Sequence, residues 1–122
     1  MAQDLISIDV QTAPSGAQVF ALHGSLDIAT SPTVRAALLD AAERGQRELI
    51  IDLTRLEFLD STGLGALIGA HKRAKEGGGR VSLVVQEGQI LRLLRITGLL
   101  GVFPVYSTLD DALNERDPRE GL

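Results

Sequence analysis

The chain has no cysteine, which excludes disulfides and every thiolate metal site. Tryptophan is absent as well, and aromatic residues make up only 3%. A surface that stacks bases or sugars on rings is therefore not expected, and a core must come from the aliphatic part of the 44% hydrophobic residues. No apolar run approaches the roughly 18 residues needed to span a bilayer. The start, Met1-Ala2-Gln3-Asp4, lacks the positive n-region and apolar h-region of a secretion signal. An excess of positive charge is missing too: 12 Lys and Arg stand against 16 Asp and Glu, a net charge of −4. Nucleic-acid binders normally carry a basic face. These absences lead to the expectation of a soluble cytoplasmic protein with neither a nucleic-acid nor a membrane partner.

What is present reads as one domain, as 122 residues suggest. Ile6, Ile8 and Val10 alternate with polar residues as in a half-buried strand. Pro14-Ser15-Gly16 turns the chain, and Gln18 to Leu22 is the second arm of a hairpin. Ser31-Pro32 predicts an N-cap followed by a proline at the first helical position, with Gly45 closing the helix. Leu49 to Leu53 is a short, nearly continuous apolar run, as in a central strand buried on both faces.

A second helix is predicted from about Thr62 to Glu76, ended by Gly77-Gly78-Gly79. Leu64, Leu67, Ile68 and His71 form its apolar stripe, while Gly65 and Gly69 are expected to let it pack closely. Val81 to Val85 is a strand, Gln89 to Thr97 a short helix stopped by Gly98, and Val102 to Tyr106 a strand that Pro104 confines to an edge. Ser107 or Thr108 caps a last helix carrying Asp110 and Asp111 in its first turn. The order is β-β-α-β-α-β-α-β-α. It implies an α/β fold with a mixed, mostly parallel sheet of about five strands and covering helices. The domain is expected over residues 4–114, with 115–122 as a flexible polar tail.

Enzyme motifs are scarce. Gly63-Leu64-Gly65 lacks the third glycine of a dinucleotide fingerprint, since position 68 is Ile68. There is no phosphate-binding G-x-x-x-x-G-K-[ST] and no nucleophile elbow G-x-S-x-G. Of the two histidines, His71 falls on an apolar stripe and His23 is expected at the end of a strand, on the surface. Two unrelated histidines with scattered carboxylates make a poor metal site. No catalytic residue, metal or cofactor is assigned.

Phe58-Leu59-Asp60-Ser61-Thr62-Gly63-Leu64-Gly65 is the informative stretch. It joins a strand to a helix, where α/β sheets gather their ligand and partner sites. Asp60 or Ser61 can cap the helix, and the unpaired amides there favour an anion. A hydroxyl at this point is exposed and can receive a phosphate; the competing account makes Ser61 or Thr62 a plain N-cap. Gly24-Ser25-Leu26-Asp27 follows the second strand at a similar junction. If the two strands are neighbours, Asp27 and Asp60 flank Ser61; otherwise Asp27 is only a turn residue. Arg92 and Arg95 read as the solvated face of a helix.

Together these pieces, with Ile50-Ile51-Asp52-Leu53, Arg95-Ile96-Thr97-Gly98-Leu99 and Val102-Phe103-Pro104, give the chain its resemblance to the STAS domain family. Within it the chain resembles the bacterial anti-sigma factor antagonists. The resemblance covers about residues 4 to 114, and D-S-[ST]-G-L-G is its most specific element. It implies that Ser61, directly after the aspartate, is the phosphoacceptor, and that Asp27 is a neighbouring acid. Thr62 stands where many members have a second serine and is a second candidate acceptor; Ser25 stands where many have an acid. The surface implied to meet a partner is Asp27, Asp60, Ser61, Thr62 and Gly63.

The resemblance implies partner switching without enzyme activity of the chain's own. The unphosphorylated protein would bind an anti-sigma factor and free a sigma factor. That anti-sigma factor, typically a serine kinase holding ATP and magnesium, would phosphorylate Ser61 and end the complex, and a phosphatase would reset it. Other members imply alternatives, as a subunit of a lipid-transport ATPase or a scaffold in a stress-sensing complex.

Overall fold

Alternating apolar residues at Ile6 and Ile8 and the turn at Pro14-Ser15-Gly16 produce the opening hairpin, β1 (Ile6–Thr12) and β2 (Gln18–Leu26). The structure, a computed structural model, describes residues 6–115. The chain continues as α1 (Ser31–Glu43), β3 (Glu48–Leu59), α2 (Ser61–Glu76), β4 (Arg80–Val84) and α3 (Gln89–Ile96). A 3-10 turn at Leu99–Gly101, β5 (Val105–Tyr106) and α4 (Leu109–Leu113) complete it. The strands lie side by side in the order β1-β2-β3-β4-β5, with β1 antiparallel and the rest parallel. The predicted element order and mixed sheet are those observed. The tail assigned to 115–122 lies, beyond Glu115, outside the described residues, as do residues 4 and 5.

This strand order decides the layers. Three successive right-handed crossovers moving in one direction across a sheet put their helices on the same face. The main core accordingly joins Val34, Leu38 and Ala41 of α1, Leu64, Leu67, Ala70 and Ala74 of α2, and Leu91 and Leu94 of α3 to Leu49, Ile51 and Leu53 of β3. The alternate residue Ile50 faces the other way, into a small cluster with Val19, Val84, Tyr106 and Ala112 under α4. β3 is thus central and buried on both faces, as its apolar run predicts.

Several elements differ from the sequence expectation. β2 runs past Leu22 to Leu26 and β3 past Leu53 to Leu59, because the two keep pairing through register shifts at Ala21/His23 and Gly24/Ser25. Such bulges interrupt the alternation that marks a strand. His23 therefore lies within β2, exposed, 3.8 Å from Glu57. α1 begins one residue early, with Ser31 as its first residue and Thr30 at the cap position without a side-chain cap. These two hydroxyls bind the loop instead: Thr30 Oγ1 donates to Ser25 O at 2.7 Å, and Ser31 Oγ to Asp27 O at 2.6 Å. The last strand is two residues long, since Leu99 to Gly101 winds into the 3-10 turn. Thr108 caps α4, accepting from Asp111 N at 3.0 Å.

Close packing of α2 depends on a different glycine from those expected. A Cβ on Gly65 or Gly69 would have no heavy atom within 4 Å, so both are open. A Cβ on Gly63 would lie 2.7 Å from Leu26 O and 2.7 Å from Leu59 Cδ1. Gly63→Ala is expected to cost about 1–3 kcal/mol through overpacking. Gly69→Ala should instead add about 0.5–1 kcal/mol, through the lower entropy cost of a helical alanine. Urea midpoints of the two variants check this: equal shifts of one sign would contradict the packing described.

His71 of α2 stacks against Phe103 with ring centroids 5.1 Å apart, and its Nδ1 is buried without a hydrogen-bond partner among the described residues. Burial, and then the charge of Lys75, hold its pKa below the ordinary 6.5. The folded protein therefore favours neutral His71, while the unfolded chain takes up a proton near the ordinary value. Stability should fall as pH drops below about 6.5 and level off below the folded pKa. His71→Phe should flatten that part of a pH series of thermal melts; an unchanged slope would show that another group causes it.

Candidate functional site

The site is a corner where two parallel strands end and a helix begins. Leu26 and Leu59 are paired at the ends of β2 and β3, and Asp60 N donates to Leu26 O at 3.3 Å. Asp27 and Asp60 directly follow these strand ends, so both junctions lie at one end of the neighbouring strands β2 and β3. Asp60 is the N-cap of α2: its Oδ1 accepts from Gly63 N at 2.9 Å, and its carbonyl from Leu64 N at 3.0 Å. The cap role open to Asp60, Ser61 or Thr62 thus belongs to Asp60. Ser61 and Thr62 are the first two residues of the helix, and both are exposed.

Asp27 is half-buried and turned to its own loop. Its Oδ1 accepts from Ala29 N at 3.0 Å and Thr30 N at 3.1 Å, an Asx-turn arrangement. Gly63, placed by the resemblance among the partner-facing residues, is buried beneath Ser61 and Thr62 against Leu26 and Leu59. It holds the helix start close to the sheet.

Chemically, the corner offers a hydroxyl at a helix N-terminus. The first amides of a helix have no intrahelical acceptor, and the helix dipole adds partial positive charge there. An anion attached to Ser61 Oγ would therefore be well tolerated. No base adjoins that hydroxyl from His71: ten residues along α2 is about 15 Å of rise. Among the described residues no three His, Cys, Asp or Glu side chains converge as a metal site, and no helix is long and apolar enough to cross a membrane.

Two exposed apolar residues frame the corner: Ile28, which the sequence reading passes over, and Phe58, whose exposure it does not foresee. Ile28, in the loop after Asp27, is 74% exposed, and Phe58, at the end of β3, is 51% exposed. Phe58 pairs with Ser25 on the part of β3 that extends beyond β4. Only the unbroken length of β3 could have revealed that position, and the polar Thr54-Arg55 masks it. Exposed large apolar side chains beside a charged corner are a mark of an interaction surface.

The STAS domain model matches residues 7–112. Over 101 residues the chain is 35% identical to an anti-sigma F factor antagonist of Paenibacillus polymyxa, covering 82% of this chain and 86% of that protein. It is 34% identical over 100 residues to an anti-sigma-B factor antagonist of Bacillus subtilis, with 82% and 90% covered. Among solved structures, an anti-sigma factor antagonist from Mycobacterium paratuberculosis superposes with a TM-score of 0.85 at 32% identity, covering 93% of this chain and 96% of that one.

The cap and the hydroxyl can be separated by experiment. Asp60→Ala removes the side chain that satisfies Gly63 N and should cost about 1 kcal/mol. Ser61 makes no side-chain hydrogen bond among the described residues, so Ser61→Ala should stay within about 0.5 kcal/mol of wild type. Denaturant unfolding of both variants decides: a large loss for Ser61→Ala would make the serine a structural residue.

Proposed function

The chain belongs to the STAS domain family, and from that premise we propose that it is an anti-sigma factor antagonist switched by phosphorylation at Ser61. Unphosphorylated, it binds an anti-sigma factor in the cytoplasm and so releases a sigma factor. It acts by binding and is the substrate of its partner's kinase activity. ATP and magnesium are held by the partner, and a phosphatase returns Ser61 to the free hydroxyl. The observation that carries this reading is the exposed Ser61 hydroxyl at the first residue of α2, on a helix start capped by Asp60.

The switch follows from charge. A phosphate adds about −1.5 to −2 charge at neutral pH. In the free protein it sits at a helix N-terminus, where amides and dipole favour an anion. Inside an interface it must lose water beside Asp27, Asp60 and any partner carboxylate. A loss of about 3 kcal/mol in binding is already more than a hundredfold in affinity. Thr62 is exposed at the next position, but the serine after Asp60 is the one that matches the family's acceptor.

Incubation with the partner kinase and ATP, followed by peptide mapping, should place the phosphate on Ser61. Label on Thr62 alone, or full labelling of Ser61→Ala, would defeat the assignment. Ser61→Ala should remain in the binding state and Ser61→Asp should bind weakly. Titration calorimetry against the anti-sigma factor, with thermal melts of both phosphoforms, tests the mechanism. Equal binding by the phosphorylated form, or loss of binding only through melting, would overturn it. A transporter ATPase in place of the anti-sigma factor after co-purification would also do so.

A further inference from the structure

α1 carries two apolar stripes where its packing needs one. Val34, Leu38 and Ala41 face the core. Pro32, Ala36 and Leu39, at helical spacing four and three residues apart, line an open groove of about 500 Å³ with Ile28 and Thr62. Pro32 and Ala36 are exposed, Leu39 half-buried and Ile28 74% exposed, so this second stripe is left uncovered by the fold. Arg35 is the one cation lining the groove. Like Arg47, Arg55, Arg92 and Arg95, it makes no ion pair among the described residues, but it alone of these stands at the apolar groove.

We propose that this groove is a specificity pocket for an amphipathic helix of the anti-sigma factor. That helix places an aliphatic side chain against Ile28, Ala36 and Leu39, and a carboxylate about one turn away on Arg35. The inference rests on the partner-switching reading and deepens it. Three observations choose the occupant. The groove shares Thr62 with the helix start that presents Ser61, so a partner that reads Ser61 covers it. It lies in the helical layer between α1 and the start of α2, whereas the sheet's free edges are β1 and β5, so the mode is helix-in-groove and not strand addition. The only charged side chain lining the groove is the Arg35 guanidinium, so a charged group of the occupant that faces it is an anion, and arginine binds carboxylates in bidentate fashion.

The test uses the full chain and the purified anti-sigma factor that it binds. Arg35→Glu should weaken binding at least about tenfold, equivalent to about 1.4 kcal/mol, with an unchanged thermal melt because Arg35 is exposed. A photo-cross-linking p-benzoylphenylalanine at Ala36 should label a helical segment of the anti-sigma factor that carries an Asp or Glu. Replacing that acid by Lys should restore binding to Arg35→Glu, which a purely structural role of Arg35 would not allow. If Ser61→Asp releases the partner while Arg35→Glu binds as wild type, the switch reading stands and the groove assignment falls. If neither variant changes binding, both fall. Cross-links to a second copy of this chain, or to a segment without an acid, also overturn the groove assignment.

Discussion

The working corner of this protein depends on one missing side chain. Gly63 lets the start of α2 come so close to the end of β2 that a Cβ would stand 2.7 Å from Leu26 O. That same carbonyl receives the Asp60 amide, and the Asp60 carboxylate receives the Gly63 amide. Two strand ends and a helix start are thereby tied by two hydrogen bonds through Asp60. Ser61 and Thr62 project from this tie as helical residues and not as loop residues. A partner docking here orders little that is not already ordered, and the entropy cost of binding is correspondingly reduced.

The two acids of the corner are held by backbone amides, whereas the Ser61 hydroxyl has no hydrogen-bond partner among the described residues. Asp60 accepts from Gly63 N, and Asp27 accepts from the amides of Ala29 and Thr30. Each carboxylate has a structural task, so neither can swing away to make room for added charge. The free protein can still accommodate an anion, because solvent and the helix start are both available to it. A buried interface offers no solvent, and fixed carboxylates then become a penalty for a second negative group. The same rigidity that presents the hydroxyl would make a phosphate on it costly only within an interface.

Much of this was legible in the sequence, and the parts that were not have physical causes. The element order, the central burial of Leu49 to Leu53 and the edge position marked by Pro104 follow from period and turn chemistry. The strand-to-helix junction at Asp60-Ser61 was readable for the same reason. The full length of β2 and β3 was hidden, because bulges at Ala21/His23 and Gly24/Ser25 break the alternation and Thr54-Arg55 is polar. Ser31-Pro32 resembles a cap and first helical residue, yet tertiary hydrogen bonds to Ser25 and Asp27 claim the hydroxyls. Glycine spacing pointed to Gly65 and Gly69. Which of the glycines faces a neighbour depends on the helix rotation, and that is set by Leu64, Leu67 and Ala70 reaching the core. The outer stripe of α1 shows the same limit, since which of its apolar residues stay uncovered depends on the face that packs on the core.

Topology also separates the corner at Ser61 from the ties that hold the rest of the chain. Glu48 begins β3 and Leu59 ends it, a span of about 35 Å at strand rise. At the Glu48 end, Arg80 joins Glu48 at 2.9 Å and Glu115 at 2.8 Å, fixing the start of β4 and Glu115, two residues beyond α4, to the start of β3. α4 itself packs on the face opposite α1, α2 and α3. With a Debye length of about 8 Å at physiological salt, charge added at Ser61 is screened before it reaches that cluster. β3, which joins the two ends, is a single strand whose residues are mostly buried over its first half. A phosphate placed at the corner would therefore act on its surroundings, the surface pressed against Ser61, before anything at the far end of β3.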